Sequence, residues 1–155
     1  MARICALALI LFVAACGFQT VYGPGGTGTL LQNRVLIDKP SDREGFLLVR
    51  HLEDRLGPTA NPAYTLSVTL DVTQEDRAID PDGDIRRFHL IGSAVYTLKD
   101  SATGSVLRSD TVDSFVSYSA TGTTVATLAA QRDAQARLMT ILADLIVQQL
   151  QMSRL

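Results

Sequence analysis

The sequence predicts an α+β domain. It is a two-layer sandwich in which a four-stranded, mostly antiparallel sheet carries two helices on one face, in the order β-α-β-β-β-α. Three observations support this class. Apolar and polar residues alternate strictly over residues 64–73, which indicates a strand with one buried face. A capping sequence at residues 41–44 begins one helix, and a wide apolar face over residues 124–152 indicates a second, longer one.

The first strand is predicted at residues 34–37, a β-branched run that ends before Pro40. Ser41 and Glu44 have capping-box spacing, so a helix is expected to follow as far as about Leu56, where Gly57-Pro58 supplies a stop. After the strand at residues 64–73, two more strands are predicted at 86–98 and 106–118. The short turn at residues 99–104 indicates that these two form an antiparallel hairpin.

A connection is predicted at residues 74–84, where Asp80-Pro81-Asp82-Gly83-Asp84 resembles a calcium loop only in its acid content. An EF-hand loop requires glycine at its sixth position and glutamate at its twelfth, and those places hold Ile85 and Ile91. We therefore interpret the segment as a Pro-Asp-Gly turn.

The last helix, at residues 124–152, is expected to pack across the sheet. Its threonine-rich entry at residues 121–123 supplies a cap, and its polar stripe lacks the abundance of Lys and Arg that membrane-surface helices carry.

Residues 1–15 have the form of a bacterial lipoprotein signal. Arg3 precedes an apolar stretch at residues 4–13 that is too short for a permanent span, and Ala14-Ala15-Cys16-Gly17 follows. Cys16 is the predicted lipid-attachment residue, carrying a diacylglycerol thioether and an amide-linked acyl chain, which together give stable membrane anchoring. The alternatives are an ordinary cleaved signal with an incidental cysteine, or a buried N-terminal helix.

Residues 16–30 are predicted to be a lipidated N-terminus and flexible tether, and residues 31–155 a single domain. Five glycines between residues 17 and 28 support the tether. Phe18 and Tyr22 either dock against a surface or belong to a solvated linker. Gly17 stands where many Gram-negative bacteria place an aspartate to retain a lipoprotein in the inner membrane. The cell outer membrane, facing the periplasm, is therefore the expected location.

Composition excludes several classes of function. Loss of Arg3 with the signal leaves 13 basic residues against 16 acidic ones, so no general basic field for nucleic acid is expected. Cys16 is the one cysteine after the signal, which rules out disulfides and cysteine metal sites. His51 and His89 are the two histidines, and neither lies in a nucleophile motif, so neither enzymatic activity nor a metal or other cofactor is expected.

Two short motifs carry a resemblance. Cys16-Gly17-Phe18-Gln19 with Val21-Tyr22-Gly23, and residues 125–130 with Arg132-Asp133-Ala134, resemble the LPS-assembly lipoprotein family LptE in its alphaproteobacterial form. The resemblance implies a lipoprotein that plugs the lumen of the outer-membrane β-barrel LptD and helps lipopolysaccharide reach the cell surface. The alternatives are a free-standing periplasmic lipoprotein that binds a lipid or an envelope protein complex, and a structural link to the cell wall.

The resemblance also implies contact with lipopolysaccharide through basic side chains, since guanidinium groups bind phosphate bidentately. The candidates are Arg86 and Arg87, with Arg77 across the connection. The alternative is a solvated pair that balances the acids at residues 80–84. The basic residue of some relatives in the last helix has no secure counterpart here, because Ala136 lies near that place with Arg132 and Arg137 beside it.

Overall fold

The computed structural model describes residues 26–79, 85–120 and 122–153, with the backbone alone described at residues 78, 79, 85 and 86. Cys16, Phe18, Tyr22 and the acidic turn at residues 80–84 lie outside the described residues. The elements are α1 (Thr27–Leu31), β1 (Val35–Ile37), α2 (Arg43–Leu56), β2 (Tyr64–Ile79), β3 (Ile85–Asp100), β4 (Val106–Ser119) and α3 (Thr124–Met152). The predicted α+β class is confirmed.

The four strands form one sheet in the order β1-β2-β3-β4. β1 runs parallel to β2 and pairs with it from Val35 opposite Tyr64 to Ile37 opposite Leu66. β2 with β3, and β3 with β4, are antiparallel, so the mostly antiparallel prediction holds. A parallel neighbour requires a crossover connection, and α2 is the helix of that β1-α2-β2 crossover.

The core lies between one face of the sheet, which we call the inner face, and helices α2 and α3. In β3, β4 and the part of β2 before its bulge, the inner-face residues have even numbers, because side chains alternate along a strand and directly opposed residues face the same side. In β1 the inner-face residues are Val35 and Ile37. Leu138, Met139, Leu142 and Ile146 of α3 are completely buried. They meet Leu48 and Leu52 of α2 and the inner-face residues Leu66, Leu90, Ala94, Tyr96, Leu98, Val112, Val116 and Tyr118.

Helix α2 begins at a different cap from the predicted one. The Asp42 carboxylate, and not the Ser41 hydroxyl, accepts a hydrogen bond from the Gly45 N–H at 2.6 Å. Aspartate serves as an N-cap at least as well as serine, and the Ser41 hydroxyl donates to Asp42 instead. The helix ends as predicted at Gly57, whose φ of 82° suits glycine.

The predicted end of β2 and the predicted connection at residues 74–84 are wrong. β2 continues through Gln74 to Ile79 and stays paired with β3, with a register shift between Asp76 and Ala78. Apolar–polar alternation ends at Thr73, but the backbone ladder needs no apolar side chains to continue. Strand pairing therefore continues beyond the end of the alternating pattern. Arg77 is the extra residue of a bulge in β2.

Helix α1 was not predicted. It occupies Thr27–Leu31, mostly within the segment assigned to the tether, where the glycines obscure any helical signal. Leu31 is completely buried, and the Thr27 hydroxyl donates to the Ser153 carbonyl at 2.9 Å. The start of the domain is thereby fixed beside the end of α3. Across the described part of the chain, no helix has the length and apolar content needed to span a bilayer.

Candidate functional site

The face of the sheet turned away from the helices, which we call the outer face, is a polar surface that extends across the three long strands. No described residue on it is buried. It is dominated by hydroxyl side chains with a few charged and apolar residues between them: Thr65, Ser67, Thr69, Asp71, Thr73, Arg87, His89, Ile91, Ser93, Val95, Thr97, Lys99, Ser109, Thr111, Asp113, Phe115 and Ser117.

Some of these hydroxyls bond to each other across strands. The Thr97 and Ser109 hydroxyls lie 3.0 Å apart, and the Thr65 hydroxyl lies 3.0 Å from that of Ser101. Such bonds keep the side chains ordered while leaving each hydroxyl with further capacity, because it both donates once and accepts twice. The outer face is therefore a preformed hydrogen-bonding surface.

Apolar side chains interrupt this polar surface at one place, which we call the sheet groove. Arg77, His89, Ile91, Asp113 and Phe115 line it, together with Ser114, and its volume is about 390 Å³. Ile91 and Phe115 are opposed across β3 and β4, and the His89 ring stacks on the Phe115 ring with centroids 5.4 Å apart. Phe115 remains 60% exposed. An exposed aromatic held in place by a neighbour is a typical anchor for a partner.

Basic residues lie beside the sheet groove. Arg87 is exposed and precedes His89 by two residues on the same face of β3. Arg77 lines the groove, and its guanidinium is 2.6 Å from the Glu75 carboxylate, with both side chains about half exposed. Arg86 lies on β3, and its side chain lies outside what the structure describes. The structure thus places Arg77 and Arg87 next to an apolar surface, while the proposed role of Arg86 and Arg87 in binding stays a prediction.

The last helix presents a different arrangement of cations. Arg137 bonds to Asp133 at 2.9 Å, one turn earlier, and reaches the Ser117 carbonyl at 3.5 Å. Arg132 is exposed, and Ala136 is half-buried. Arg137 therefore ties the helix to β4.

The titratable groups with shifted pKa values lie away from the sheet groove. Burial raises the pKa of Tyr96, outweighing the opposite effect of the Arg108 guanidinium. Hydrogen bonding from the Thr111 N–H and then from Arg108 lowers the pKa of Asp110. The Tyr96 hydroxyl donates to Gln149 at 2.8 Å. Tyr96 thus joins the sheet to α3, while Asp110 accepts hydrogen bonds from residues of its own strand.

Neither histidine shows the surroundings of a catalytic base. The Thr140 hydroxyl lies 2.9 Å from His51 Nε2 and 3.1 Å from the Ala136 carbonyl one turn earlier. A threonine that donates to that carbonyl accepts from the histidine, which links α2 to α3. His89 stacks on Phe115. In the parts of the chain that the structure covers, no three potential metal ligands come together.

The sheet groove was missed by the sequence analysis, although a signal for it exists. Ile91 and Phe115 occupy positions in their strands that alternation assigns to the polar face. Their meeting across two strands depends on register, which sequence periodicity alone does not specify.

Comparison with protein families identifies the family of this chain. The profile described as LptE, lipopolysaccharide-assembly, matches residues 32–150, which is most of the chain. The chain belongs to the LptE family. The matched segment begins directly after α1 and ends in the last turn of α3, so all the strands and nearly all of both long helices are included.

Solved structures share the LptE-like fold. A putative lipoprotein from Caulobacter crescentus CB15 has 26% identity over 83% of this chain and 95% of its own, with a TM-score of 0.69. The rare lipoprotein B from Shewanella oneidensis has 15% identity over 76% of this chain and 92% of its own, with a TM-score of 0.58. An uncharacterized lipoprotein B from Nitrosomonas europaea has 18% identity, coverages of 87% and 90%, and a TM-score of 0.60. No curated protein sequence gives a significant match.

Proposed function

We propose that this LptE-family chain is an outer-membrane lipoprotein, anchored through lipid on Cys16, that plugs an LptD-like β-barrel and takes part in lipopolysaccharide transport. It faces the periplasm and acts without enzymatic activity and without a cofactor. The family match over residues 32–150 carries this proposal. The fold contributes a compact body with a hydroxyl-rich outer face, which suits contact with the polar interior of a large barrel.

The sheet groove supports a role in binding within the same proposal. A plug that only fills space needs polar groups, whereas Ile91 and Phe115 add an apolar anchor to the outer face. Burial of an exposed aromatic ring contributes strongly to association. We therefore expect the outer face, and the sheet groove in particular, to contact the barrel.

The test is copurification of tagged, full-length protein after gentle detergent extraction. A stoichiometric large β-barrel is expected with the wild-type chain, and Phe115→Ser is expected to reduce its recovery. Phe46→Ser is the matched control, because Phe46 is equally exposed at 60% but lies on α2, away from the outer face. Absence of a barrel, under conditions that preserve other barrel complexes, would favour the free-standing lipoprotein.

Lipopolysaccharide binding is a separate part of the proposal, carried by Arg86 and Arg87. The double variant Arg86→Ala/Arg87→Ala is expected to weaken binding of lipopolysaccharide by the lipid-free domain, since phosphate loses its guanidinium partners. Arg43→Ala/Arg50→Ala removes the same charge from α2 and serves as the control. Equal binding by both double variants and the wild type would remove the pair from the proposed site.

Lipidation at Cys16 has its own measurement. Mass spectrometry of protein extracted from membranes is expected to show an N-terminal cysteine that carries a diacylglycerol group and an acyl chain. Cys16→Ser is expected to abolish both the modification and the membrane association. A wild-type protein that retains Met1, or starts at an unmodified residue, would contradict the anchor.

A further inference from the structure

One edge of the sheet is largely unpaired. β1 covers β2 only from Tyr64 to Leu66, and the Asp38 N–H makes the last contact, to the Leu66 carbonyl at 2.9 Å. Within residues 26–79, 85–120 and 122–153, no backbone group pairs with β2 beyond Leu66 on the side away from β3. An open edge of this length offers a template for another strand.

The direction of the free backbone groups follows from the existing ladder. The Tyr64 N–H and the Leu66 carbonyl point toward β1, away from β3. Because alternate residues of a strand point their N–H and C=O groups to the same side, Val68, Leu70, Val72 and Gln74 also point theirs away from β3. Four successive outward positions therefore present donors and acceptors to an added strand, before the bulge at Arg77.

Two cavities flank this edge, and together with it they form what we call the edge groove. One cavity, of about 220 Å³, lies between Pro40 and Val68, and the other, of about 360 Å³, lies between Glu44 and Val72. Both are lined by Asp42 and Leu70, so they are neighbours along the edge. An added strand pairs through its backbone and sends alternate side chains into such pockets.

The net charge around the edge groove indicates the charge of the strand that it would bind. Residues 38–44 and 68–77, on its two sides, contribute six acids and three bases, a net charge of −3: Asp38, Asp42, Glu44, Asp71, Glu75 and Asp76, with Lys39, Arg43 and Arg77. Two copies of this edge would bring like charges opposite each other, which is unfavourable for pairing. A basic strand meets the opposite charge and gains from it.

We propose that the edge groove binds an extended, basic segment of a protein partner, which adds a strand to β2 beside Val68–Gln74. The other edge of the sheet, on β4, serves as an internal comparison. This inference does not depend on lipopolysaccharide binding or on contacts of the outer face, so each can fail without the other.

The probe is a synthetic decapeptide of alternating lysine and valine, added to the lipid-free, isotope-labelled domain. Amide resonances of Val68, Leu70, Val72 and Gln74 are expected to shift and to gain protection from solvent exchange. Resonances of the outward-pointing β4 residues are expected to stay unchanged. A decapeptide of alternating glutamate and valine is expected not to bind. Raising NaCl from about 50 to about 500 mM is expected to lower the affinity of the domain for the lysine peptide several-fold.

Two kinds of variant separate the backbone contribution from that of charge. Val72→Pro removes an outward N–H without removing a bond to β3. It is expected to lower the affinity for the lysine peptide about tenfold. Thr111→Pro does the same on β4 and is expected to leave binding unchanged. Asp42→Asn/Glu44→Gln keeps the cap and the hydrogen bond to Gln135 but removes two charges, and is expected to weaken binding several-fold.

The matched control for charge is Glu53→Gln/Asp54→Asn, on the exposed side of the same helix. It is expected to bind the peptide like the wild type. The amide spectrum of each variant is first compared with that of the wild type to check that the variant is folded. If a proline variant fails to fold, the charge variants still test the proposal. Binding of both peptides alike, shifts confined to β4, dimerisation through β2, or no binding at all would each overturn the proposal.

Discussion

The inner and outer faces of the same three long strands are built for different purposes. On the inner face, Leu90, Ala94 and Leu98 of β3 are buried against the helices. The intervening residues His89, Ile91 and Val95 of the same strand lie on the outer face and remain at least partly exposed. Backbone pairing is common to both faces. The difference shows that the fold is specified by one set of positions, which leaves the other set free to meet a partner.

The largest expected effect on stability comes from creating a cavity beneath the inner face. Leu142→Ala removes a completely buried side chain of α3 and is expected to lower the free energy of unfolding by about 2–5 kcal/mol, measured by urea denaturation. Phe115→Ala on the outer face is the counterpart and is expected to change it by no more than about 1 kcal/mol. Similar losses from both would show that Phe115 belongs to the core, and the contrast between the faces would fail.

A smaller effect is expected at the closest approach of helix and sheet. A Cβ atom at Gly92 would lie 2.9 Å from Leu142 Cδ1 and 3.1 Å from Leu138 Cδ2. Gly92→Val therefore overfills the contact and is expected to cost about 1–3 kcal/mol of unfolding free energy. Ser93→Val places the same side chain on the outer face and is expected to be nearly neutral. If Gly92→Val were also neutral, α3 would not be held at this distance by Gly92.

The inner face explains how much of the fold was predictable from the sequence. Alternation in β2 and the apolar side of α3 both record burial, so the helices, the strands and the α+β class follow from them. The end of β2 and helix α1 do not, because Glu75, Asp76 and the glycines before Leu31 carry no burial signal. Their structure depends on pairing with β3 and on contact with the end of α3.

The outer face was predictable in composition but not in arrangement. Its threonines and serines are evident from alternation, and the basic character near Arg87 was predicted. The sheet groove depends on the register that brings Ile91 opposite Phe115, and the edge groove depends on β1 stopping after Ile37. Both are consequences of how strands meet, which no local pattern encodes.

Tyr96 tests the polar link between the inner face and α3. Tyr96→Phe removes the hydrogen bond to Gln149 and is expected to cost about 1 kcal/mol at neutral pH. Since burial raises the pKa of Tyr96 above its unfolded value, the neutral hydroxyl's contribution is complete below about pH 10 and is lost as pH rises toward the folded pKa. Urea midpoints measured across that range are expected to fall less steeply for Tyr96→Phe than for the wild type.

Tyr64→Phe is the control for this pH dependence, because Tyr64 is only half-buried on the same face. It is expected to follow the wild-type alkaline profile. A Tyr96→Phe profile as steep as that of the wild type would show that another group governs the alkaline loss of stability.

The smallest effect is expected at the turn between β3 and β4, which belongs to neither face. Asp100 Oδ1 accepts hydrogen bonds from the Thr103 N–H at 2.8 Å, the Thr103 hydroxyl at 2.9 Å and the Ala102 N–H at 3.0 Å. The Thr103 N–H, followed by its hydroxyl, lowers the pKa of Asp100. The stabilising contribution is therefore present above the unfolded pKa of about 4 and is lost as pH falls through the folded value.

Asp100→Asn keeps the shape of the side chain and removes its charge. At neutral pH its thermal midpoint is expected to lie slightly below that of the wild type, and the two are expected to converge under acid conditions as Asp100 becomes protonated. Asp113→Asn, on the exposed outer face, is the matched control and is expected to leave the thermal midpoint at neutral pH nearly unchanged. A gap between Asp100→Asn and the wild type that stays constant with pH would show that the charge of Asp100 does not contribute to the stability of the turn.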